Sequence, residues 1–353
     1  MPLLSVIMPA YNAAAYIEKA IDSVLSQSFK DFELIVVNDG SADNTLDIIN
    51  SYKDERLKVY TKPNSGPADT RNWGIERSSG EFIMFIDSDD SFSEGAFETI
   101  ARHCGEGSFD MLIFGFVQHN VETGSSFKYF LPDMEAAVKQ DLKDKFGVLY
   151  VSNLLNSVWN KVFRAETLKE NSIKFCDYLY GEDRLFVFDF LRHCDRIKVI
   201  SDCLYNYIMM NKNSLVSRYY DKKFEACCAI NKAIYALQEV TGSFSEETLN
   251  NIRYMFLKSV ISCITNIYHP SCKKTASEKR GELKEIINHS DVVNALTEYK
   301  SSDIVMDMLV IILKSKSIPL ISMASKGIIF TSKNLSAPFV KLKNYKILKS
   351  RAE

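Results

Sequence analysis

Hydrophobic and polar positions follow two alternating periods over the first hundred residues. Short apolar runs predict four buried strands, at Leu3–Met8, Phe32–Val37, Leu57–Tyr60 and Glu81–Ile86. Apolar residues at helical spacing between them predict three helices, at Ala13–Leu25, Asp43–Tyr52 and Pro67–Arg77. Because strand and helix alternate with short connections, we expect an α/β fold with an open, mostly parallel, Rossmann-like sheet and helices on both faces.

Polar residues follow several of these strands at the point where each strand ends. Asn12 comes after the first strand, Asp39 after the second, and Asp87 and Asp89 after the fourth. Open parallel sheets bind ligands at the carboxyl ends of their strands, at a topological switch point. The sequence therefore predicts one ligand site at that edge of the sheet.

The acidic run after the fourth strand is a candidate metal site. Asp87 and Asp89 are two positions apart on backbone that we expect to be extended, so both side chains should point to one side, with Asp90 adjacent. Two such carboxylates suit Mg²⁺ or Mn²⁺ held together with phosphate oxygens. The run also fits a solvated turn before a helix near Glu94.

Asp39 and Arg71 each have a functional and a structural interpretation. A carboxylate at a strand end can accept a hydrogen bond from a ribose hydroxyl or a base N–H, but Asn38–Ser41 is also what a tight turn requires. Arg71 on the third helix suits bidentate contact with a phosphate, and it also suits an ordinary surface position.

Composition and other motifs narrow the classes of function. The 353 residues have a net charge of −2, so a whole-molecule basic field for nucleic acid is absent. Eight cysteines without a CxxC pair indicate reduced thiols and a cytoplasmic location, and Met1–Ala10 lacks the features of a signal peptide. No apolar stretch reaches the length of a membrane-spanning helix. Dinucleotide-binding, P-loop, nucleophile-elbow and zinc-protease motifs are also absent.

The N-terminal motifs together resemble the family 2 glycosyltransferases, enzymes of the GT-A fold. The resemblance is close over the first hundred residues, in Ser5–Asn12, Ile21–Ser28, Val37–Ser41, Asn64–Pro67, Arg71–Ile75 and Gly80–Asp90. It continues more weakly to about residue 210, through Val158–Lys161 and Gly181–Asp183.

The resemblance implies an enzyme that binds a nucleotide-diphosphate sugar, most often a UDP-sugar, and transfers the sugar with inversion. It implies that the nucleoside is held by Asp39 and by the loop that contains Pro9, Tyr11 and Asn12. It places Arg71 near the diphosphate, and Asp87 and Ser88 on the donor. Mn²⁺ or Mg²⁺ would be bound by Asp89 and Asp87. The acceptor side would include Trp159 and Lys161, whose ring face and charge suit a sugar and a phosphate.

Asp183 is the general base that the resemblance implies, with Glu182 as the alternative. Apolar residues from Leu185 to Leu191 predict a helix that starts near Glu182, which puts Asp183 in the first turn. The helix dipole there favours the ionised, proton-accepting carboxylate. An ordinary acidic residue at a helix start has the same pattern. One departure from the family is Asp69 before Arg71, since this acid could pair with the arginine or alter the donor preference.

The last third of the chain has a different pattern. From about Phe224, apolar residues recur at helical spacing without strand signals, which predicts a helical C-terminal extension. From about residue 308 to 350, apolar groups alternate with lysines and no acid intervenes. The lysines are Lys314, Lys316, Lys326, Lys333, Lys341, Lys343, Lys346 and Lys349. This suits a surface that lies on an anionic membrane, and equally a packed extension with a solvated lysine face.

We therefore predict a GT-A domain over residues 1–220, with a nucleotide-sugar half (1–95) and an acceptor half (96–220), and a helical region over 221–353. The predicted function is metal-dependent, inverting transfer to a glycan or lipid-linked acceptor in bacterial capsule, exopolysaccharide or lipopolysaccharide synthesis. One alternative is a sugar nucleotidyltransferase, although Pro9–Asn12 lacks the glycine-rich phosphate loop that this class needs. Another is a non-catalytic subunit that binds a sugar nucleotide.

Overall fold

The apolar run near the N-terminus forms the strand around which the first half of the sheet is built. In the computed structural model, the four predicted strands are β1 (Leu4–Ala10), β2 (Phe32–Asn38), β3 (Leu57–Thr61) and β4 (Phe82–Phe85). The three predicted helices are α1 (Ile17–Leu25), α2 (Thr45–Ser51) and α3 (Pro67–Arg77). All four strands pair in parallel in the order β3-β2-β1-β4, which confirms the predicted alternation.

The sheet continues beyond β4 with mixed strand directions. The later strands are β5 (Ser91–Phe92), β6 (Met111–Asn120), β7 (Ser126–Tyr129), β8 (Met134–Ala136), β9 (Lys161–Arg164) and β10 (Ile197–Met209). The helices among them are α4 (Ala96–Glu106), α5 (Leu142–Val151), α6 (Ala165–Glu170) and α7 (Glu182–His193). The order is β3-β2-β1-β4-β9-β6-β10-β5, with β7 on β6 and β8 on β10. Because β9 is antiparallel to both β4 and β6, it joins the parallel half to the rest.

The structure describes residues 1–106, 109–178, 180–209, 218–301 and 303–334. After β10 these residues contain helices and no strand, as predicted. The helices are α8 (Lys223–Ala236), α9 (Gln238–Thr241), α10 (Glu246–Ile267), α11 (Ala276–Asn288), α12 (Ser290–Glu298), α13 (Ile304–Lys314) and α14 (Ile318–Asn334). None of the described helices is both long enough and apolar enough to cross a bilayer. Lys341, Lys343, Lys346 and Lys349 lie outside the described residues.

The chain divides into two units by its own packing. Unit 1 comprises residues 1–211 and 229–249, and unit 2 comprises residues 212–228 and 250–353. The sheet lies in unit 1 and α11 to α14 lie in unit 2, while α8 and α10 contain residues of both. The functional division at residue 220 stays a prediction.

Helix α3 packs closely on β1, and a glycine allows it. A Cβ atom at Gly74 would lie 2.3 Å from Cγ2 of Ile7, whose side chain is fully buried. Gly66 caps the helix at a φ of 89°, a backbone conformation that suits glycine, and Pro67 occupies the first turn. These residues set the position of α3 against the sheet.

We expect Gly74→Ala to destabilise the protein because the added methyl group overlaps Ile7. Overpacking of this kind costs about 1–3 kcal/mol, which exceeds the gain of about 1 kcal/mol in helix propensity. Gly105→Ala in α4 is the control, since a Cβ there meets nothing within 4 Å. Denaturant unfolding measures both, and equal stability of the two variants would contradict the packing argument.

Candidate active site

The loops after β1 and β2 are tied together at the carboxyl edge of the sheet. Asn12, with a φ of 48°, accepts a hydrogen bond from the Ala42 N–H through Oδ1 (2.8 Å). Its own N–H donates to Oγ of Ser41 (3.0 Å). Pro9 is half-buried at the end of β1, and Tyr11 is 53% exposed. Of the residues predicted to hold a nucleoside, Tyr11 and Asn12 are therefore the exposed ones.

Asp39 is buried and anchors the segment that leads into α3. Its Oδ1 accepts hydrogen bonds from Lys62 Nζ (2.5 Å) and the Ser65 N–H (3.0 Å), and its Oδ2 accepts one from the Gly66 N–H (2.9 Å). The Asp39 side chain is 4% exposed. Its predicted contact with a nucleobase stays a prediction, while its contacts in the structure hold the start of α3 on β2.

Asp69 does not pair with Arg71, which was one of two possibilities for this acid. Asp69 instead lies 3.1 Å from Lys62 Nζ and accepts a hydrogen bond from the Ser65 hydroxyl (2.5 Å). These contacts lower the pKa of Asp69. Because Lys62 satisfies Asp69, the guanidinium of Arg71 remains available to other carboxylates.

Arg71 is the centre of the site, and its guanidinium joins Asp87, the predicted donor and metal ligand, to Asp183, the predicted general base. Its Nη2 donates to Asp87 Oδ1 (3.0 Å), its Nη1 donates to Asp183 Oδ1 (3.1 Å), and Nη1 also lies 3.6 Å from Glu182 Oε1. Arg71 is 5% exposed. Burial alone would lower its pKa, but the charges of Asp183, Asp87 and Glu182 outweigh burial and raise it. The guanidinium therefore stays charged, and it brings together α3, α7 and the turn after β4.

Asn72, which the sequence analysis did not assign to the site, holds Phe175 in place beside Arg71. Asn72 exchanges two hydrogen bonds with the backbone of Phe175, one from its amide to the carbonyl and one from the Phe175 N–H, both at 2.9 Å. The Phe175 ring stacks on Phe186 of α7 at 4.0 Å, and the Arg71 guanidinium lies 5.3 Å from its centroid. Arg71 thus supplies the positive charge, and Asn72 holds the Phe175 ring next to it.

The acidic run after β4 is a turn, so the expectation of extended backbone was wrong. The strand ends at Phe85, and the Asp90 N–H donates to the Asp87 carbonyl at 3.1 Å. Ser88 is half-buried within this turn and Asp89 is exposed. The surrounding chain still displaces water from the Asp89 carboxylate, and together with the charge of Asp87 this raises the pKa of Asp89 to about 6. The two predicted metal ligands are therefore close enough to repel each other.

The hydroxyl of Tyr205, in β10, holds this turn in place through hydrogen bonds, which the sequence did not predict. The Asp87 N–H donates to the Tyr205 hydroxyl (3.1 Å), so the hydroxyl proton donates to Asp90 Oδ2 (2.9 Å). The Ile208 N–H donates to Asp90 Oδ1 at 2.7 Å. Burial, with the charges of Asp87 and Asp89, raises the pKa of Asp90 well above its usual range. Asp90 is thus a structural acid, distinct in role from Asp89.

Asp183 lies in the first turn of α7, which begins at Glu182 as predicted. Gly181 precedes the helix at a φ of 80°, and a Cβ there would lie 2.5 Å from Cδ1 of Ile230. Loss of hydration raises the pKa of Asp183 to about 7; Arg71 and Lys161 oppose this rise, and Glu182 and Asp87 add to it. A carboxylate with this pKa is suited to exchange a proton near neutral pH.

Trp159 and Lys161 are buried, so neither offers an acceptor a free surface. Lys161 is fully buried, and its ammonium donates to the Leu154 and Ser157 carbonyls and to Asn160 Oδ1 at 2.5, 2.5 and 2.8 Å. Three acceptors use all three N–H bonds of the ammonium. Burial lowers the pKa of Lys161 to about 7, and the negative charge of Asp183 opposes this.

The indole of Trp159 is 6% exposed and packs among three aromatic rings. It stacks on Tyr205 at 4.5 Å and on Tyr207 at 5.6 Å, and it meets the edge of Phe116 at 4.7 Å. The sequence shows the residue types but not the neighbouring strands that cover them. Both residues are buried in this structure, and their predicted role on the acceptor side stays a prediction.

The donor set at the turn fits a hard divalent cation. Asp87 and Asp89 offer carboxylate oxygens. Loss of hydration, and then the charge of Asp87, raise the pKa of Asp89, and a bound cation would lower that pKa. Arg71 Nε is buried and has no hydrogen-bond partner among the described residues. An unpaired buried donor next to these carboxylates fits an anionic group such as a phosphate.

Residues 5–169 of the chain match the model of glycosyl transferase family 2. The fold of the chain is the expected GT-A arrangement. It is similar to Staphylococcus aureus TarS residues 1–349, whose crystal structure was solved in complex with UDP-GlcNAc. The TM-score is 0.68 at 26% identity, over 92% of this chain and 91% of that one.

Two relatives show the same similarity in sequence. The uncharacterized glycosyltransferase EpsJ of Bacillus subtilis is 30% identical over 226 residues, 62% of this chain and 64% of EpsJ. The poly(ribitol-phosphate) beta-N-acetylglucosaminyltransferase TarP of Staphylococcus aureus is 34% identical over 218 residues, 60% of this chain and 64% of TarP. In both comparisons the chain spans just under two thirds of the relative's length.

We expect Tyr205→Phe to loosen the acidic turn while keeping the aromatic packing around it. The change removes the acceptor of the Asp87 N–H and the donor to Asp90 Oδ2, while the Ile208 N–H still donates to Asp90 Oδ1. Losing the hydroxyl should cost about 1–3 kcal/mol. It should also weaken Mn²⁺ binding, measured by electron paramagnetic resonance. Tyr150→Phe, which removes another buried tyrosine hydroxyl, is the control. Unchanged Mn²⁺ affinity in Tyr205→Phe would contradict the support that we assign to this hydroxyl.

Proposed function

We propose that this protein transfers a sugar, with inversion, from a UDP-sugar to a glycan acceptor in the synthesis of a bacterial surface polysaccharide. The observation that carries the proposal is the Arg71 guanidinium, which contacts Asp87 on the donor side and Asp183 on the acceptor side. The likeness to TarS, which was solved with UDP-GlcNAc, supports a UDP-sugar donor. The same likeness supports an N-acetylhexosamine as the transferred sugar.

The donor would be bound by residues at the carboxyl edge of the sheet. Tyr11 offers an exposed ring for the base, and the unpaired Nε of Arg71 offers a buried donor for a phosphate oxygen. Asp87 and Asp89 would hold Mn²⁺ or Mg²⁺, with the remaining ligands from phosphate and water. When bound, such a cation neutralises charge on a departing diphosphate.

Asp183 is the general base in this proposal. An inverting transfer is one in-line displacement, so a carboxylate must take the proton of the acceptor hydroxyl on the side opposite the diphosphate. Asp183 retains 18% side-chain exposure, and its position at the start of α7 favours the ionised form. Glu182, 16% exposed and farther from Arg71, is the alternative base.

A sugar nucleotidyltransferase and a non-catalytic binding subunit remain the alternatives. The first should release diphosphate from a nucleoside triphosphate, and the second should bind a sugar nucleotide without turnover. A panel of nucleotide sugars, assayed for released nucleoside diphosphate, identifies a transferase. An assay for diphosphate released from a nucleoside triphosphate and a sugar phosphate separates the other two functions.

The second unit carries a surface that suits an anionic membrane, and we infer that it docks there, at the cytoplasmic face, beside a lipid-linked acceptor. Ile304, Met308 and Ile311 form one stripe of α13 and are 76%, 60% and 67% exposed. Lys314, Lys316 and Lys326 are exposed within α13, α14 and their connection. An exposed apolar stripe with nearby lysines complements anionic lipid in both hydrophobicity and charge.

For the base, we expect Asp183→Asn to keep UDP-sugar binding but to lower turnover by about 10²–10⁴-fold. Asp189→Asn on the same helix is the matched control. In the unmodified protein, kcat/KM should fall as the pH is lowered through about 7, because protonated Asp183 cannot accept a proton. Normal turnover of Asp183→Asn would refute this assignment.

For the metal site, isothermal titration of UDP with and without Mn²⁺ should show tighter binding with Mn²⁺. Asp89→Asn should remove most of that difference and leave metal-free binding unchanged. Glu94→Gln, an exposed carboxylate after the turn, should behave like the unmodified protein. Binding of UDP that ignores Mn²⁺ would count against the site at Asp87 and Asp89.

For the membrane surface, we expect co-sedimentation with vesicles that contain phosphatidylglycerol but not with pure phosphatidylcholine. Ile311→Asp should reduce this co-sedimentation because inserting a carboxylate into lipid is costly. Val121→Asp, at an exposed apolar residue of unit 1, should not. If Ile311→Asp binds vesicles normally, or if it instead dissociates a dimer seen by light scattering, the membrane assignment fails.

A further inference from the structure

A second cluster of metal-binding side chains lies in unit 2 and takes no part in the proposed transfer. Cys228 of α8 lies beside His289, between α11 and α12, and Asp291 in the first turn of α12. One ligand atom from each, a sulfur, a ring nitrogen and a carboxylate oxygen, lies within 4.8 Å of the other two. We propose that these three residues form a binding site for Zn²⁺ or a closely similar divalent ion.

The donor types match that class of ion. Zn²⁺ takes sulfur at about 2.3 Å and nitrogen or oxygen at about 2.0–2.2 Å, so its tetrahedral ligands lie roughly 3.3–3.8 Å apart. The observed spread of up to 4.8 Å closes to that range with side-chain movements of roughly 1 Å. Three protein ligands leave a fourth position for water. Mg²⁺, in contrast, prefers oxygen ligands only, which distinguishes this site from Asp87 and Asp89.

His289 is held in place by its surroundings. Its ring meets the edge of Phe224 at a centroid distance of 5.3 Å and an angle of 87°. Its Nδ1 accepts a hydrogen bond from the Asp291 N–H at 3.3 Å. Coordination through either ring nitrogen would end this long hydrogen bond. The loss costs little because the first N–H groups of a helix can form hydrogen bonds with water instead. The ring is therefore positioned before a metal arrives.

The electrostatic surroundings favour a cation. Cys228 and His289 line a cavity of about 550 Å³ that is also lined by Asp221, Glu225, Glu278, Glu282 and Glu285, against two lysines. One of these, Lys274, lies 2.8 Å from Asp221 and 3.0 Å from Glu282, so its charge is already paired. The excess of carboxylates raises the local concentration of divalent cations.

Burial is the main influence on the thiol of Cys228. Loss of hydration, together with Asp291 and Cys227, raises the pKa of Cys228 to about 12, so the sulfur carries a proton in the metal-free protein. On coordination the thiol would release that proton to solvent, and the Cys228 sulfur would bind the metal as a thiolate. The bound ion would link α8 to the junction of α11 and α12.

Cobalt titration of the full chain, kept reduced and without nucleotide, tests the site through absorption. Thiolate coordination gives a near-ultraviolet charge-transfer band, and the visible bands of tetrahedral Co²⁺ are intense. We expect both with one equivalent of Co²⁺, and loss of both on addition of Zn²⁺. Cys228→Ser should lose the charge-transfer band, and His289→Ala should weaken binding at least tenfold. Cys176→Ser, which removes a half-buried thiol of unit 1, should keep the spectrum.

Thermal unfolding with Zn²⁺ and with a chelator separates binding from misfolding. Cys228→Ser should match the unmodified protein in chelator and should lose only the rise in Tm that Zn²⁺ gives. The absence of a charge-transfer band in the unmodified protein, or its persistence in Cys228→Ser, would overturn the proposal. Asp89→Asn should leave the spectrum unchanged, so failure here is distinguishable from failure of the proposed transferase site.

Discussion

The buried ion pairs of Arg71 are the interaction on which the proposed active site depends. One guanidinium, 5% exposed, contacts Asp87 and Asp183 and lies near Glu182. Breaking such a buried network leaves uncompensated charge, at a cost of about 3–5 kcal/mol. The position of Arg71 depends in turn on the close approach of α3 to β1 at Gly74, and on the segment that Asp39 and Lys62 anchor.

The carboxylates at the edge of the sheet divide into two groups by their partners. Asp39 and Asp90 are buried, and each accepts at least two hydrogen bonds, so they hold backbone in place. Asp89 is exposed, and its pKa is raised; a bound cation would lower that pKa again. Asp183 lies between these cases, with partial exposure and a pKa of about 7. The site therefore combines rigid supports with carboxylates that remain available for chemistry.

The sequence predicted the first half of the sheet well because its strands and helices have clear periods and sharp turn residues. It also predicted that Asp39 and Asp87 lie at one edge, since parallel strands end together. It did not predict the burial of Lys161 and Trp159, whose contact with an acceptor stays a prediction. Lys161 donates to the Leu154 and Ser157 carbonyls, and two tyrosines of β10 stack on Trp159. Tyr205 gave no signal because nothing in an apolar strand shows which loop its hydroxyl will meet.

The most direct test of this account is a crystal structure of the protein grown with UDP and Mn²⁺, with anomalous scattering used to locate the manganese. The account predicts one strong peak within bonding distance of the Asp89 carboxylate and beside Asp87, with Arg71 on the diphosphate and Asp183 facing the open acceptor side. Manganese bound away from the turn, or UDP bound without contact to Arg71, would contradict it.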